Sequence, residues 1–528
     1  MIPQIRISTT RKIMVMPFDI RVQKIIPYAK TMQRNGNNFL MVRHGVTEVK
    51  LLRNLGYEPP APILSQYVWS GSQTPFQHQK ETAEMLSQSR RAYVMSGLGS
   101  GKTRSALYAF DYLKSIGEVN KLLVVAPLST LTATWEQEVF KVFPHLTTVS
   151  LHGTKKQRLT ALNEDFDIYV INHDGTHVIL DELIKHTKKG GIDMVIIDEI
   201  AGYRNAKTRR WKTMNKLLVN VPWAWGLSGL PTPNAPTDAW AQVKLLTPER
   251  VPKYFGAFRS EVMQQITQFI WIPRKDAMDV VHKAMQPAVR FATEDCIDLP
   301  PTTYIDRNCE MSPEQDKAYK SMLTTFVAEM NGSKVSAVNA GVKLSKLLQI
   351  SSGFGYMDGI PIQIDDKPRI ALLNEVLDQC ENKVLVFAPF KYLVDKLHRE
   401  LHARFPNEPF GTPVVKCYGD TPKKERDKIF NLFQNSTSPH IIVAHPASLS
   451  HGVTLTAADT IIWYSPITSY ETYTQANARI VRSGQDKHTN IVHIQAGKVE
   501  EQVYSKLQRK EKAQNVLLEM FRAQTLLN

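Results

Sequence analysis

Only four cysteines, Cys296, Cys309, Cys380 and Cys417, occur in 528 residues, and no two stand at CxxC spacing. That excludes a zinc cluster or disulfide scaffold of the usual spacing and fits a reducing compartment. No apolar run is long enough to span a bilayer, and the opening Met1-Ile2-Pro3-Gln4-Ile5-Arg6 lacks the apolar core of a signal peptide. Short-period repeats and low-complexity tracts are absent too, which excludes a repeat array. The expectation is a cytoplasmic chain with no membrane partner, the nucleus being the alternative compartment.

What is present is ample apolar material and an excess of positive charge. A hydrophobic content of 43% is ordinary for a globular protein, and 528 residues exceed what one core organises, so two or three domains are expected. Sixty-five Lys and Arg stand against 50 Asp and Glu, a formal charge of +15. Basic clusters recur at Lys155-Lys156-Gln157-Arg158, Lys207-Thr208-Arg209-Arg210-Trp211-Lys212, Lys423-Lys424-Glu425-Arg426 and from Lys506 to Lys512. One such cluster reads as a solvated face. An excess sustained along the whole chain favours a polyanionic partner, nucleic acid first.

The most informative stretch is Ser96-Gly97-Leu98-Gly99-Ser100-Gly101-Lys102-Thr103. Ala92-Tyr93-Val94-Met95 before it reads as a buried strand, and Arg104 to Phe110 after it as the start of a helix. Glycines at such a junction let backbone amides and the helix N-terminus face phosphate groups. Lys102 would then reach the β- and γ-phosphates, and the Thr103 hydroxyl would help hold magnesium. Ser96 stands where the strict pattern has its first glycine. The loop reads as a binding site for a nucleoside triphosphate.

From Gln77 to about Leu246, buried-strand signals (Leu122 to Ala126, Ile168 to Ile171, Met194 to Ile197) alternate with helical stretches. Such alternation predicts an α/β fold with a mostly parallel sheet between helices. A mostly helical stretch, about Pro313 to Ile350, is closed by Gly353 and Gly355. Alternation then resumes at Val384-Leu385-Val386-Phe387, Val414-Val415, Ile441-Ile442-Val443 and Ile461-Ile462-Trp463, a second α/β lobe. In the first 70 residues, Phe39 to Val42 reads as a strand and Thr47 as the cap of a short helix ending at Gly56. The expected division is 1–70, a small α+β accessory domain; 71–290, the first lobe; 291–365, a mostly helical connection; and 366–528, the second lobe.

Asp198-Glu199 ends an apolar strand 96 residues after Lys102. Carboxylates at a strand's carboxyl end face the ligand crevice of a parallel sheet. There Asp198 can hold magnesium, and Glu199 can orient and deprotonate an attacking water. In the second lobe, Arg479 and Arg482 stand three apart within Gln475 to Gln485, so on a helix both would project from nearly one face. An arginine from a second lobe can neutralise charge developing on a γ-phosphate.

Taken in order, these stretches resemble the superfamily-two helicases, specifically the Swi/Snf-type ATPases. Leu123 to Leu131 with Trp135 is similar to motif Ia, Leu227 to Asn234 to motif III, Ser450 to Asp459 to motif V, and Gln475 to Gln485 to motif VI. The resemblance implies two tandem RecA-like lobes, ATP and Mg2+ as cofactors, and a monomer moving on duplex or branched DNA. It adds Gln79 as the adenine reader and Gln475 to the hydrolytic set. It places Ser129, Thr130, His152, Gly153, Arg204, Asn205, Gly452 and Thr454 along the DNA track. Ala201 replaces the family's usual histidine and Leu230 its threonine, which bears on how the nucleotide state is relayed. The compact chain is closer to bacteriophage or bacterial members than to nuclear remodellers. Residues 1–70 also resemble the substrate-recognition domain of annealing helicases, a plain extension packed on lobe one being the alternative. A strand-separating DNA or RNA helicase and a nucleotide-gated clamp with little turnover are the competing functions.

Overall fold

The computed structural model describes residues 5–510 except 72–73, 268–270, 293–295, 297–298, 333–336, 358, 406–411, 450–452 and 483, with backbone alone at 129, 133, 325–332, 337–340 and 423. The described chain divides into two units between Cys296 and Ile297.

The first unit begins with a four-stranded antiparallel sheet ordered β1-β2-β4-β3: β1 Arg6–Ser8, β2 Ile13–Pro17, β3 Lys30–Arg34 and β4 Asn37–Arg43. Asn35 and Gly36 turn β3 into β4 with φ of 51° and 76°, the left-handed pair a two-residue hairpin requires. Helix α1 (Ile20–Ile25) is capped by Asp19, whose carboxylate accepts the Arg21 amide at 2.8 Å. Helix α2 (Val46–Asn54) starts two residues earlier than a Thr47 cap predicts. Its N-cap is Gly45, so Thr47 lies inside the first turn rather than capping it. Met14, Met16, Leu40 and Val42 bury one sheet face against Val22, Val49 and Leu52 of the two helices.

The same unit contains a seven-stranded parallel sheet. Its strands are β5 Arg91–Val94, β6 Leu122–Ala126, β7 Thr148–Ser150, β8 Ile168–Asn172, β9 Met194–Asp198, β10 Trp223–Leu227 and, after the β11–β12 hairpin (Met263–Gln265, Trp271–Pro273), β13 Ala288–Val289. Their order is β13-β5-β10-β9-β6-β8-β7. Both faces are covered, as parallel sheets require. Tyr93, Leu123, Val125, Val195 and Ile197 join one apolar core, while Ala92, Val94, Leu122, Val124 and Ile196 join the other.

The second unit holds a six-stranded parallel sheet ordered β14-β21-β20-β17-β19-β18. After the β15–β16 hairpin is discounted (Phe354–Met357, Ile360–Gln363), its strands are β14 Thr302–Asn308, β17 Lys383–Phe387, β18 Val414–Cys417, β19 Ile441–Ala444, β20 Ala458–Trp463 and β21 Thr489–Gln495. The 291–365 stretch contributes β14 to this sheet as well as the helices Pro313–Gly332 and Ala337–Ser351. A buried polar network ties the unit together. The Arg369 guanidinium pairs with Glu500 at 3.0 Å, both essentially inaccessible, and donates to the carbonyls of Ser351, Tyr464 and Ile494.

Candidate nucleotide site

In the first unit the sequence-predicted residues gather at one edge of the parallel sheet, where β5, β6, β7, β9 and β10 end. The phosphate-type loop leaves β5 and enters the 14-residue helix Lys102–Ser115 directly at Lys102. Gly99 and Gly101 take left-handed φ of 79° and 76°, which bends the loop back on itself. A Cβ at Gly101 would lie 2.3 Å from Gln79 Nε2, so the buried Gln79 sits directly against the loop. Gln79 Oε1 accepts the Phe76 amide at 3.1 Å, fixing the start of its helix. His78 Nε2 meets the Ser100 carbonyl at 2.9 Å. The Lys102 ammonium donates to the Ser96 and Gly97 carbonyls at 3.0 and 2.9 Å.

Ser96 earns its departure from the glycine pattern. Its Oγ accepts the Phe291 amide at 3.1 Å, while the Gly97 amide donates to the Phe291 carbonyl at 3.0 Å. Glycine at this position could make only the second bond.

Asp198 ends β9. Its Oδ2 accepts the Trp135 indole N–H at 3.1 Å, and its Oδ1 accepts the Glu199 amide at 3.1 Å. Burial pushes the Asp198 carboxyl up, and the Trp135 bond and the Lys102 charge pull it back down. Trp135 lies in a π-helical turn, Leu131–Glu136, that continues the β6 exit. Such turns recur at functional sites because they re-aim a side chain. The sequence marks Trp135 only as part of motif Ia, and its bond to Asp198 carries no local pattern. Glu199 adopts φ 51° and ψ 54°, a left-handed conformation that a residue with a Cβ holds only when its surroundings enforce it.

Around this centre, Ser228 donates its amide to the Val94 carbonyl at 3.0 Å and accepts the Leu230 amide on its hydroxyl at 3.1 Å. Thr130 is buried and its hydroxyl donates to the Pro127 carbonyl at 2.9 Å; Ser129 beside it is described by backbone alone. His152 and Gly153 follow β7, and the buried Arg158 fixes that turn by donating to the Leu151 and Gly153 carbonyls at 2.5 and 3.0 Å. Arg204 donates to the Ala201 carbonyl at 3.2 Å, and the Asn205 side chain accepts the Lys207 amide at 2.9 Å.

In the second unit, Gln475 is buried near the end of the helix Tyr470–Asn477. That helix stops before the arginines, so helical spacing does not bring them together. Arg479 and Arg482 lie in the turn beyond it, yet both converge. Their Nη1 atoms donate to the same Val453 carbonyl at 3.0 and 2.8 Å, and Arg479 Nε donates to the Gln475 carbonyl at 2.9 Å. Burial pushes the Arg482 guanidinium down from its usual range. Thr454 is exposed just past Val453, whereas Gly452 lies outside the described residues.

A glycine-bent loop opening a long helix, a lysine at its mouth and a half-buried carboxylate on β9, one strand removed from β5, suit a nucleotide's phosphates with their metal. The class this defines is a helicase-like, ATP-binding protein built on two RecA-like sheets. The family model described as the SNF2-related domain matches residues 78–352, and that of the helicase conserved C-terminal domain matches 368–484. The first match covers more than half of the chain, which therefore belongs to the SNF2-related family.

Among relatives, protein p41 of Acyrthosiphon pisum secondary endosymbiont phage 1 is 27% identical over 84% of this chain and 98% of its own length. An ATP-dependent helicase of Mycoplasma genitalium is 26% identical over 77% of this chain, and the ISWI chromatin-remodeling complex ATPase ISW1 of Saccharomyces cerevisiae 23% over 80%. This chain spans only 38% of the length of each of those two. A solved structure, the Sulfolobus solfataricus SWI2/SNF2 ATPase core in complex with dsDNA, is similar at 22% identity and TM-score 0.40, covering 87% of this chain and 96% of that one.

Proposed function

We propose that this chain is an ATP-dependent translocase on duplex or branched DNA, with residues 71–290 and 366–528 as its two motor lobes. The observation that carries the reading is a convergence at one sheet edge. The phosphate-type loop, the Asp198-Glu199 pair and the Thr130, His152 and Asn205 segments all leave the same side of one parallel sheet. In that reading Gln79 selects adenine, and residues 96–103 cradle the phosphates. Lys102 exchanges its loop carbonyls for phosphate oxygens, Thr103 and Asp198 hold Mg2+, and Glu199 positions water. Magnesium would neutralise charge on the phosphate oxygens. Arg479 and Arg482 would supply cationic charge, with Gln475 ordering the Arg479 turn. DNA contact through hydroxyls, amides and basic side chains reads backbone rather than sequence, as movement along DNA requires. The chain's +15 charge is of the right sign.

The test is ATP turnover with no nucleic acid, duplex DNA, single-stranded DNA or RNA, with Lys102→Ala as the inactive control. Duplex DNA should stimulate most, and the protein should displace a triplex-forming third strand while releasing little strand from a tailed duplex. Stimulation by RNA alone would reverse the reading, as would tight DNA binding without turnover.

A further inference from the structure

The N-terminal sheet presents a second surface, remote in sequence from the nucleotide loop. Its four strands contain no acidic residue and four basic ones, Arg6, Lys30, Arg34 and Arg43. The register puts all four on one face. Arg6 lies opposite Val15, Val15 opposite Met41 and Met41 opposite Lys30, a single row across the sheet. Arg43 lies opposite Ile13, Phe39 opposite Met32, and Arg34 opposite Asn37. Side chains alternate along a strand, so Ile13, Val15, Met32, Phe39 and Met41 form a strip down this face. Cations frame the strip at both edges and both ends. The four cations are exposed and the five strip residues partly so, while the opposite face is the buried core already described.

The solvent side of an antiparallel sheet is ordinarily polar throughout. This one is apolar in the middle and cationic around it. The acidic groups nearby are engaged elsewhere. Residues 5–57 hold ten Lys and Arg against Asp19 and Glu48. Asp19 pairs with Arg21, which holds its carboxyl well below the usual range, and accepts the Tyr57 hydroxyl at 2.5 Å. Glu48 is buried and accepts the Tyr28 hydroxyl at 2.9 Å.

We propose that this face binds a nucleic-acid strand with unpaired bases, its phosphates on the four rim cations and its bases against Phe39 and the methionines. The chemistry separates this ligand from intact duplex. A duplex offers phosphates to the rim but hides its base faces, leaving the apolar strip without a partner. An unstacked strand satisfies both. Four strands span about 14 Å, room for the two or three bases that sheets of this width stack.

The experiment uses the full chain without nucleotide, so its outcome is independent of the ATPase reading. Binding of labelled oligothymidine, a blunt duplex of equal length and a forked duplex is followed by fluorescence anisotropy across a salt series. The variants are Phe39→Ala and the fourfold Arg6→Glu, Lys30→Glu, Arg34→Glu, Arg43→Glu, with circular dichroism checking the fold. Oligothymidine affinity should fall at least tenfold in the charge variant and several-fold in Phe39→Ala, and blunt-duplex affinity by less than threefold. The charge variant should lower the oligothymidine salt slope by about three, since each phosphate contact on a single strand adds about 0.7. Oligothymidine affinity within twofold of the parent in both folded variants would overturn the proposal. An equal fall on blunt duplex with no effect of Phe39→Ala would overturn it too, leaving only a diffuse positive field.

Discussion

Replacing Arg369 with methionine isolates what the buried network of the second unit contributes. Methionine keeps much of the apolar volume and removes every donor. The carbonyls of Ser351, Tyr464 and Ile494 lose their guanidinium partner, and Glu500, fully inaccessible, keeps only the Ser351 hydroxyl at 2.7 Å and the Ala496 amide at 2.6 Å. Breaking one side of a buried ion pair costs about 3–5 kcal/mol, a large share of the roughly 5–15 kcal/mol that holds a domain folded. For a unit of this size each kcal/mol moves the melting temperature by about 2–4 °C, so a fall of roughly 6–20 °C is expected. The loss should depend on pH. With Arg369 gone, burial pushes the Glu500 carboxyl up against only the Ala496 and Ser351 hydrogen bonds. The folded variant then binds a proton that the unfolded chain has released, so its stability falls as pH rises through that window. The deficit should therefore be larger at pH 8 than at pH 5. Arg369→Met with Glu500→Leu removes the stranded charge and should recover most of the loss. Calorimetric melting of the full chain reads all three. A single variant melting within 2 °C of the parent at pH 8, or a double variant no better than the single, would refute the reasoning.

Four further substitutions test the residues proposed for hydrolysis. Glu199→Gln should bind ATP normally in a filter or fluorescence assay while hydrolysis falls by orders of magnitude; failure to bind would remove Glu199 from its water-orienting role. Arg482→Ala should leave ATP and DNA binding near the parent's and lower turnover about 10³-fold, typical of a charge-stabilising arginine, with Arg479→Ala similar or milder. Loss of DNA affinity with unchanged basal turnover would mark the pair as track contacts instead. Trp135→Phe removes one donor to Asp198, a charge-assisted bond worth about 1.5–3 kcal/mol, so turnover should drop about tenfold or more. Turnover within twofold of the parent would show that the bond only packs the π-turn.

Local pattern carried the site further than it carried the architecture around it. The phosphate-type loop, Asp198-Glu199 and the two α/β lobes are visible because strand, turn and helix signals lie within a few residues of one another. The order of the strands is not, because pairing is settled by contacts distant in sequence. One strand of the N-terminal sheet is legible at Phe39 to Val42; β1 and β3 are short and interrupted by basic and polar residues, and β2 is apolar throughout and ends in Pro17, so none of the three shows a strand's clean alternation. Helical spacing correctly groups Arg479 with Arg482 but for a different reason, since the helix ends at Asn477 and a shared acceptor, the Val453 carbonyl, brings them together. The Trp135–Asp198 bond joins residues 63 apart, and the Ser96–Phe291 bond residues 195 apart, beyond any window over which a motif is read.

That last bond makes the nucleotide loop and the exit of the first unit one mechanical part. Met95 and Gly97 donate to the carbonyls of Val289 and Phe291, Phe291 returns its amide to Ser96, and Arg290 reaches the Met95 carbonyl at 2.8 Å. Four hydrogen bonds thus fasten two short segments like teeth of a zip, and the chain leaves the unit five residues later, at Cys296. Neither segment can slide without breaking several of them together. Load placed on either segment is consequently shared with the other through those four bonds.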